Sequence, residues 1–339
     1  MATIKDVARE AGVSVSTASV ALSGKGPVSE ATRLRVVRAA QELKYRPNAI
    51  ARSLVTRRTQ AIGLIVSDLS DPYFHEIAKG VESEVSSAGY TVVLADTDRS
   101  IEKERRSIDT LLSRQVDGLI IAGSGDEQDG RLAHLEDGDV PVVAVGRYAM
   151  DAPSVSVDNK KAAELGANHL IEQGCKRVAY IGGPKGFTVS RDRKEGYLNA
   201  LLSHGIELDE AYVVDSDFTP AGGHDAFGRL KADLDRAGLP LPDGILAAND
   251  QMAIGLLRAA KDLGLRVPQD LAVAGIGDIP TAVYVDPPLT TVTLPLKQMG
   301  RLAAKSLLTM VKGGRLSARR AVLDVSLMVR ASSIKAASK

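Results

Sequence analysis

Apolar positions in the first forty-odd residues recur at helical spacing. Ile4, Val7, Ala8 and Ala11 share one face, behind Thr3 and Asp6 at the spacing of a capping box. Gly12 supplies the backbone freedom for a tight turn. A second short helix is predicted from about Ser14 to Leu22. Val13, Ala18 and Ala21 are its apolar side, and Val15, Ser16, Thr17 and Val20 lie on other faces. Gly24, Gly26 and Pro27 break the chain, and Ser29 caps a third helix with the face Leu34, Val37, Ala40 and Leu43. Pro47 ends it. Helix, glycine turn, short helix is the geometry of a helix-turn-helix, whose second helix enters the major groove.

From Ala61 the pattern changes to short β-rich runs: Ile62–Val66, Thr91–Ala95, Gly118–Ala122, Val140–Val145, Val178–Ile181, Tyr212–Asp215, Gly244–Ala248 and Leu271–Ile276. Helical stretches alternate with them: Tyr73–Ala88, Ile101–Ser113, Lys160–Gln173, Arg191–Ser203 and Gln251–Leu263. Near-continuous apolar strands alternating with helices predict parallel sheets covered on both faces. The pattern restarts near Asp158, so two similar α/β subdomains follow, with a cleft outside the carboxyl ends of their strands.

Charge separates the two regions. Residues 1–60 carry eleven Lys/Arg against four acids, a balance of +7, while the remainder carries −6. A basic head on an acidic body places the polyanion contact in the head. Aromatic residues are only 4% and tryptophan is absent, which leaves an aliphatic core. No apolar run approaches the roughly 18 residues of a membrane span. Lys5, Asp6, Arg9 and Glu10 leave no room for a secretory h-region, and the lone Cys175 has no internal disulfide partner. A cytoplasmic protein is expected.

Ala2–Leu54 resembles the DNA-binding region of the LacI/GalR family of bacterial regulators. The resemblance rests on Ala2-Thr3-Ile4-Lys5-Asp6-Val7-Ala8, Ala11-Gly12-Val13-Ser14, Thr17-Ala18-Ser19 and Tyr45-Arg46-Pro47-Asn48-Ala49. The body is similar to the periplasmic-binding-protein type I fold of that family, through Val116–Ile120, Ala248–Gly255, Val267–Asp270 and Pro288–Thr291. The implied architecture is α + α/β. A helix-turn-helix domain occupies 1–46 (motif about 4–23) and a hinge helix with its linker 47–60. A two-subdomain effector domain follows at 61–330 (about 61–158 with 292–321, and 159–290 with 322–330), then a tail at 331–339.

The resemblance implies that Val15, Ser16 and Val20 read operator bases, with Ser14 and Thr17 nearer the backbone, and Thr3 is counted among the DNA-binding residues. The long polar side chain common at one of the reading positions is absent, so readout leans on DNA shape and on the hinge. It also implies that Leu54 wedges between central base pairs while Arg52 draws phosphate. The hinge of eight or so residues is too short to be helical alone in water. For the effector pocket it implies Tyr73, Phe74, Arg147, Arg191, Phe218, Asn249 and the loop Gly275–Asp278. Gly146 and Gly277 stand where many relatives place an acid, and Asp278 is one residue along. With Arg147 and Arg191 nearby, an effector with some anionic character is expected, such as a sugar phosphate or acid.

The function implied is a homodimeric repressor on a pseudo-palindromic operator, controlled by a sugar, sugar phosphate, polyol or nucleoside; a protein co-effector, used by some relatives, stays open. No cofactor is expected. Enzyme motifs are missing: Gly182-Gly183-Pro184-Lys185-Gly186 lacks a phosphate-loop ending, and the five histidines show no metal spacing. The alternative reading is a cytoplasmic sugar-binding protein without specific operator recognition.

Overall fold

The computed structural model describes residues 2–24, 26–45, 58–123, 132, 135, 138–146 and 150–335. They form two compact units, Met1–Thr59 and Gln60–Lys339.

The first unit holds α1 (Ile4–Glu10), α2 (Val15–Ser23) and α3 (Glu30–Glu42). The capping box forms in full: Thr3 N–H and hydroxyl both donate to the Asp6 carboxylate, at 2.9 and 2.7 Å, and Asp6 N–H donates back. Gly12 turns the chain at φ +63°. Val7, Ala8, Ala11, Ala18 and Ala21 pack with Val36, Ala39 and Ala40. The expected face of the third helix is therefore rotated. Val36, not Leu34, points inward, and Leu34 is 60% exposed. Residues 36, 39, 40 and 43 form an equally good helical stripe, so periodicity alone does not choose between the two.

Among the described residues of the second unit each of two sheets has six strands. The first, all parallel, runs in the order β2 (Thr91–Asp96), β1 (Ala61–Val66), β3 (Gly118–Ala122), β4 (Val142–Val145), β5 (Ser154–Val157), β11 (Arg320–Leu323). The second runs β7 (Val213–Asp215), β6 (Val178–Gly182), β8 (Gly244–Ala247), β9 (Ala272–Gly277), β10 (Thr290–Thr293), β12 (Ser326–Met328), with only β12 antiparallel. The first lobe adds α4 (Pro72–Ser87), α5 (Ile101–Ser113) and α10 (Leu296–Val311). The second adds α6 (Asn159–Glu172), α7 (Thr188–Ser203), α8 (Pro220–Ala237) and α9 (Asp250–Asp262).

Three helix pairs, α4 with α10, α6 with α7 and α8 with α9, pack closely. Glycine makes the approach: a Cβ on Gly300 would lie 2.2 Å from the Ile77 carbonyl oxygen, and one on Gly255 1.8 Å from that of Pro220.

The chain passes between sheets after Val157, after Thr293 and after Leu323. The expected boundaries put residues 292 and 293 in the first lobe and 322 and 323 in the second. Both pairs are instead the ends of strands and stay with their own sheets. The tail also needs correction. Ser332 and Ser333 are fully buried. Ser332 Oγ donates to the Val273 carbonyl and accepts from Thr290 N–H, while Ser333 Oγ meets Thr290 Oγ1 and His169 Nε2, each at 2.7 Å. The segment thus completes the second lobe as far as Lys335, whose ammonium donates to the Asp243 carbonyl. Among the described residues no helix is long and apolar enough to cross a membrane.

Candidate effector cleft and recognition helix

At the start of α2 three hydroxyls cluster. Ser14 Oγ caps the helix by accepting Thr17 N–H and lies 2.8 Å from both Ser16 Oγ and Thr17 Oγ1. Val15, Ser16 and Ser19 are exposed together, whereas Val20 is half-buried near the Gly26 turn. The outward face is thus small, hydroxylated and apolar, suited to thymine methyls and close phosphate approach. Thr3 is exposed, but its hydroxyl is already used in the cap of α1. Arg52 and Leu54, the expected hinge contacts, lie outside the described residues, as does Arg147.

Between the two lobes is a cavity of about 70 Å³. At roughly 10–15 Å³ per water on that measure, it holds a handful of waters or one small ring in their place. The first lobe supplies Ser67, Asp71, Tyr73, Phe74 and Arg99. The second supplies Phe187, Val189, Arg193, Phe218, Asn249, Asp250, Gln251, Ile276, Gly277 and Ile279. Almost all follow the carboxyl ends of parallel strands, as the fold's switch-point geometry requires. Three of the chain's four phenylalanines are here, with Tyr73 edge-on to Phe74 at 5.0 Å between ring centres. In a protein so poor in aromatics, that concentration gives the cavity flat apolar faces of the kind on which rings stack.

Four expected residues, Tyr73, Phe74, Phe218 and Asn249, do line the cavity. Asn249 is largely committed to structure: its Oδ1 caps α9 by accepting Met252 N–H, and its Nδ2 donates to the Phe218 carbonyl at 3.0 Å. Phe218, at φ +69°, sits over Gly183, where a Cβ would lie 2.1 Å from the ring.

Arg191 and Asp278 are placed elsewhere. Arg191 is half-exposed beside Asp192, at 3.5 Å. The residue that reaches the cavity is Arg193, buried, with Nε donating to Asn159 and Nη1 to the Ala248 carbonyl. Neither bond uses Nη2. The expected start of this helix is Arg191, but the helix begins at Thr188, so Val189 and Arg193 share the cavity face at i, i+4. Asp278 forms a 2.7 Å ion pair with Arg330 and accepts from Thr293, away from the cavity. Gly146 and Gly277 carry φ of +106° and +146°, a backbone that an acid side chain adopts only with strain.

Two carboxylates that sequence reasoning passes over are built into the wall. Asp250 is buried, accepting from Thr291 Oγ1 and from Ile279 N–H, and burial pushes its pKa up to about 6. Asp71 caps α4 by accepting Tyr73 N–H, and burial likewise raises it. Asp71 and Asp250 against Arg99 and Arg193 leave the wall formally neutral. The expected excess of positive charge is not present among the described residues.

Comparison with known proteins agrees with these features. Residues 3–48 match the model described as bacterial regulatory proteins, lacI family, and residues 167–333 match a periplasmic binding protein-like domain. The chain is 37% identical over 340 residues to the ribose operon repressor of Halalkalibacterium halodurans, covering 97% of this chain and 96% of that one. It is 36% identical over 333 residues to the HTH-type transcriptional repressor CytR of Escherichia coli K12, covering 98% and 96%. Among solved structures, the Lac repressor dimer bound to operator and the anti-inducer ONPF superposes at a TM-score of 0.86, with 29% identity and 99% of both chains covered. A complex of the regulator CelR with cellobiose superposes at 0.73 with 35% identity, covering 98% and 100%.

Proposed function

Because the chain belongs to the lacI family of bacterial regulatory proteins and is therefore a DNA-binding transcriptional regulator, we propose that it is a dimeric repressor whose effector is a small, uncharged, ring-shaped polyol: a sugar or a nucleoside. The observation that carries the effector class is the cleft wall, where, among the described residues, four aromatic rings surround two arginines and two acids of equal and opposite charge. Aromatic faces cover the C–H face of a sugar or stack on a base. Arg193, Asp250 and Gln251 offer donors and acceptors for hydroxyls. A phosphate would bring net charge into a wall whose cations already have carboxylate neighbours, with desolvation to overcome.

α2 presents Val15, Ser16 and Ser19 to the major groove, and a two-fold dimer presents two such helices to a pseudo-palindromic site. Effector binding draws the lobes together and displaces the first lobe relative to the second. That movement changes how firmly the paired heads hold DNA. The names of two relatives support a sugar-linked regulon: one is a ribose operon repressor, and CelR is solved in complex with cellobiose.

The test is a thermal-shift screen of D-ribose, D-glucose, cellobiose, cytidine, adenosine and ribose 5-phosphate. Hits are then titrated against operator binding by fluorescence anisotropy. A neutral compound is expected to raise Tm and change operator affinity by roughly tenfold or more. Response to the phosphate alone would overturn the assigned class.

A further inference from the structure

Arg99 joins the two halves of the cleft through protein atoms. It follows β2 in the first lobe, in a left-handed bend (φ +50° at Asp98 and +55° at Arg99), with its N–H on the Ser67 carbonyl at 2.7 Å. Two carboxylates of the same lobe fix its guanidinium, Asp68 at 3.2 Å and Asp71 at 3.6 Å. From there Nη1 crosses to the second lobe and donates to the Asp217 carbonyl, while the guanidinium lies over the Phe218 ring, 5.8 Å from its centre. That distance is within the range of cation–ring attraction.

We propose that Arg99 is a strut that holds the cleft shut and positions Phe218 as one wall of the effector cavity. It sets the ratio of open to closed molecules before any effector arrives. Geometry gives three reasons. The bent backbone aims the side chain across the cleft. The acid pair removes most of its freedom to swing away, since a guanidinium held by two carboxylates loses little further entropy on making the next contact. And Phe218 is itself pinned, by Asn249 through its carbonyl and by Gly183 beneath its ring. A contact between two fixed groups on opposite lobes favours only the closed arrangement, so it shifts the population by its full differential value. Asp71 also caps the helix that brings Tyr73 and Phe74 to the cavity, so the strut and the aromatic wall share one anchor.

The consequence for effectors rests on the functional reading above, but the strut is measurable without one. In the full chain carrying C175A, E82C and A232C, spin labels on α4 and α8 report the separation of the lobes by double electron–electron resonance. With Arg99 intact, a narrow distribution at the shorter distance is expected. R99A should move the closed-to-open ratio by roughly tenfold, the combined value of a charged hydrogen bond and a cation–ring contact. R99K, which keeps a donor but loses the flat stack, should fall between. F218L provides a second variant that leaves the Arg99 anchor and the Asp217 carbonyl in place, and should broaden the distribution in the same direction. An unchanged distribution in both R99A and F218L overturns the strut, whatever compounds bind. Failure of every compound in the thermal-shift panel overturns the effector reading, while the role of Arg99 is still decided by the measured distances.

Discussion

Arg191 and Arg193 stand two residues apart on α7, and about 200° of helix rotation separates their fates. Arg193→Ala should remove the effector response and cost about 2–4 kcal/mol in urea unfolding, because the Asn159 oxygen and the Ala248 carbonyl lose a buried donor. Arg191→Ala should cost under about 0.5 kcal/mol. Equal losses in the two variants would contradict the assignment. Asp250 makes a pH prediction with a definite sign. Its folded pKa, about 6, lies above its ordinary value of 3.8, so its charged form is disfavoured by folding. The penalty is fully present above pH 6, on the order of 3 kcal/mol, and is relieved as pH falls from 6 towards 4. Asp250→Asn should therefore be more stable than the parent at pH 7, and the difference between the two should shrink towards pH 4. Paired denaturant titrations at pH 7.0 and 4.5 check it. Tyr73, Phe74, Phe218 and Asn249 are named through the family resemblance, and each follows a strand of its lobe. Asp250 is not legible, since its role depends on a hydroxyl from Thr291, forty-one residues away.

At the level of elements, the helix pairs owe their closeness to residues with no side chain. Gly255→Ala on α9 would push a methyl into the Pro220 carbonyl of α8. The expected cost is about 3 kcal/mol or more, seen as a lowered Tm with the secondary structure retained. The same change at Gly228, where a Cβ meets nothing within 4 Å, should be neutral or slightly stabilising. Helices α4, α5, α6, α7 and α9 were readable from their periodicity, whereas α8 and α10, of 18 and 16 residues, were not read. The missed strands are short: Ser-Val-Ser-Val in β5, Thr-Thr-Val-Thr in β10, Arg-Ala-Val-Leu in β11 and Ser-Leu-Met in β12. They are strands because neighbours pair with them, which no local propensity records. Helix α8 opens Pro-Ala-Gly-Gly, the composition of a loop, and is helical because Thr219 caps it and α9 packs on it.

For the whole molecule, the governing quantity is the coupling between two sites on separate compact units. If an effector changes operator affinity by some factor, operator must change effector affinity by that same factor, because both measure one coupling free energy. Titrating effector with and without operator, by calorimetry, tests this; unequal factors would mean that a third component takes part. The charge division was plain in the sequence, with +7 on residues 1–60 and −6 beyond. It places the salt-sensitive part of DNA binding in the head. The balance of charge among the described residues of the cleft wall was not plain, because it depends on which arginines the helices aim inward.

The scarcity of aromatic rings has an optical consequence. With no tryptophan in the chain and Phe187 at the cavity wall, Phe187→Trp would install a lone indole beside the bound molecule. Its emission, with no second indole to compete and excited to the red of the tyrosines, would brighten, dim or change colour as the lobes open and close, and a stopped-flow trace of that light would time the switch.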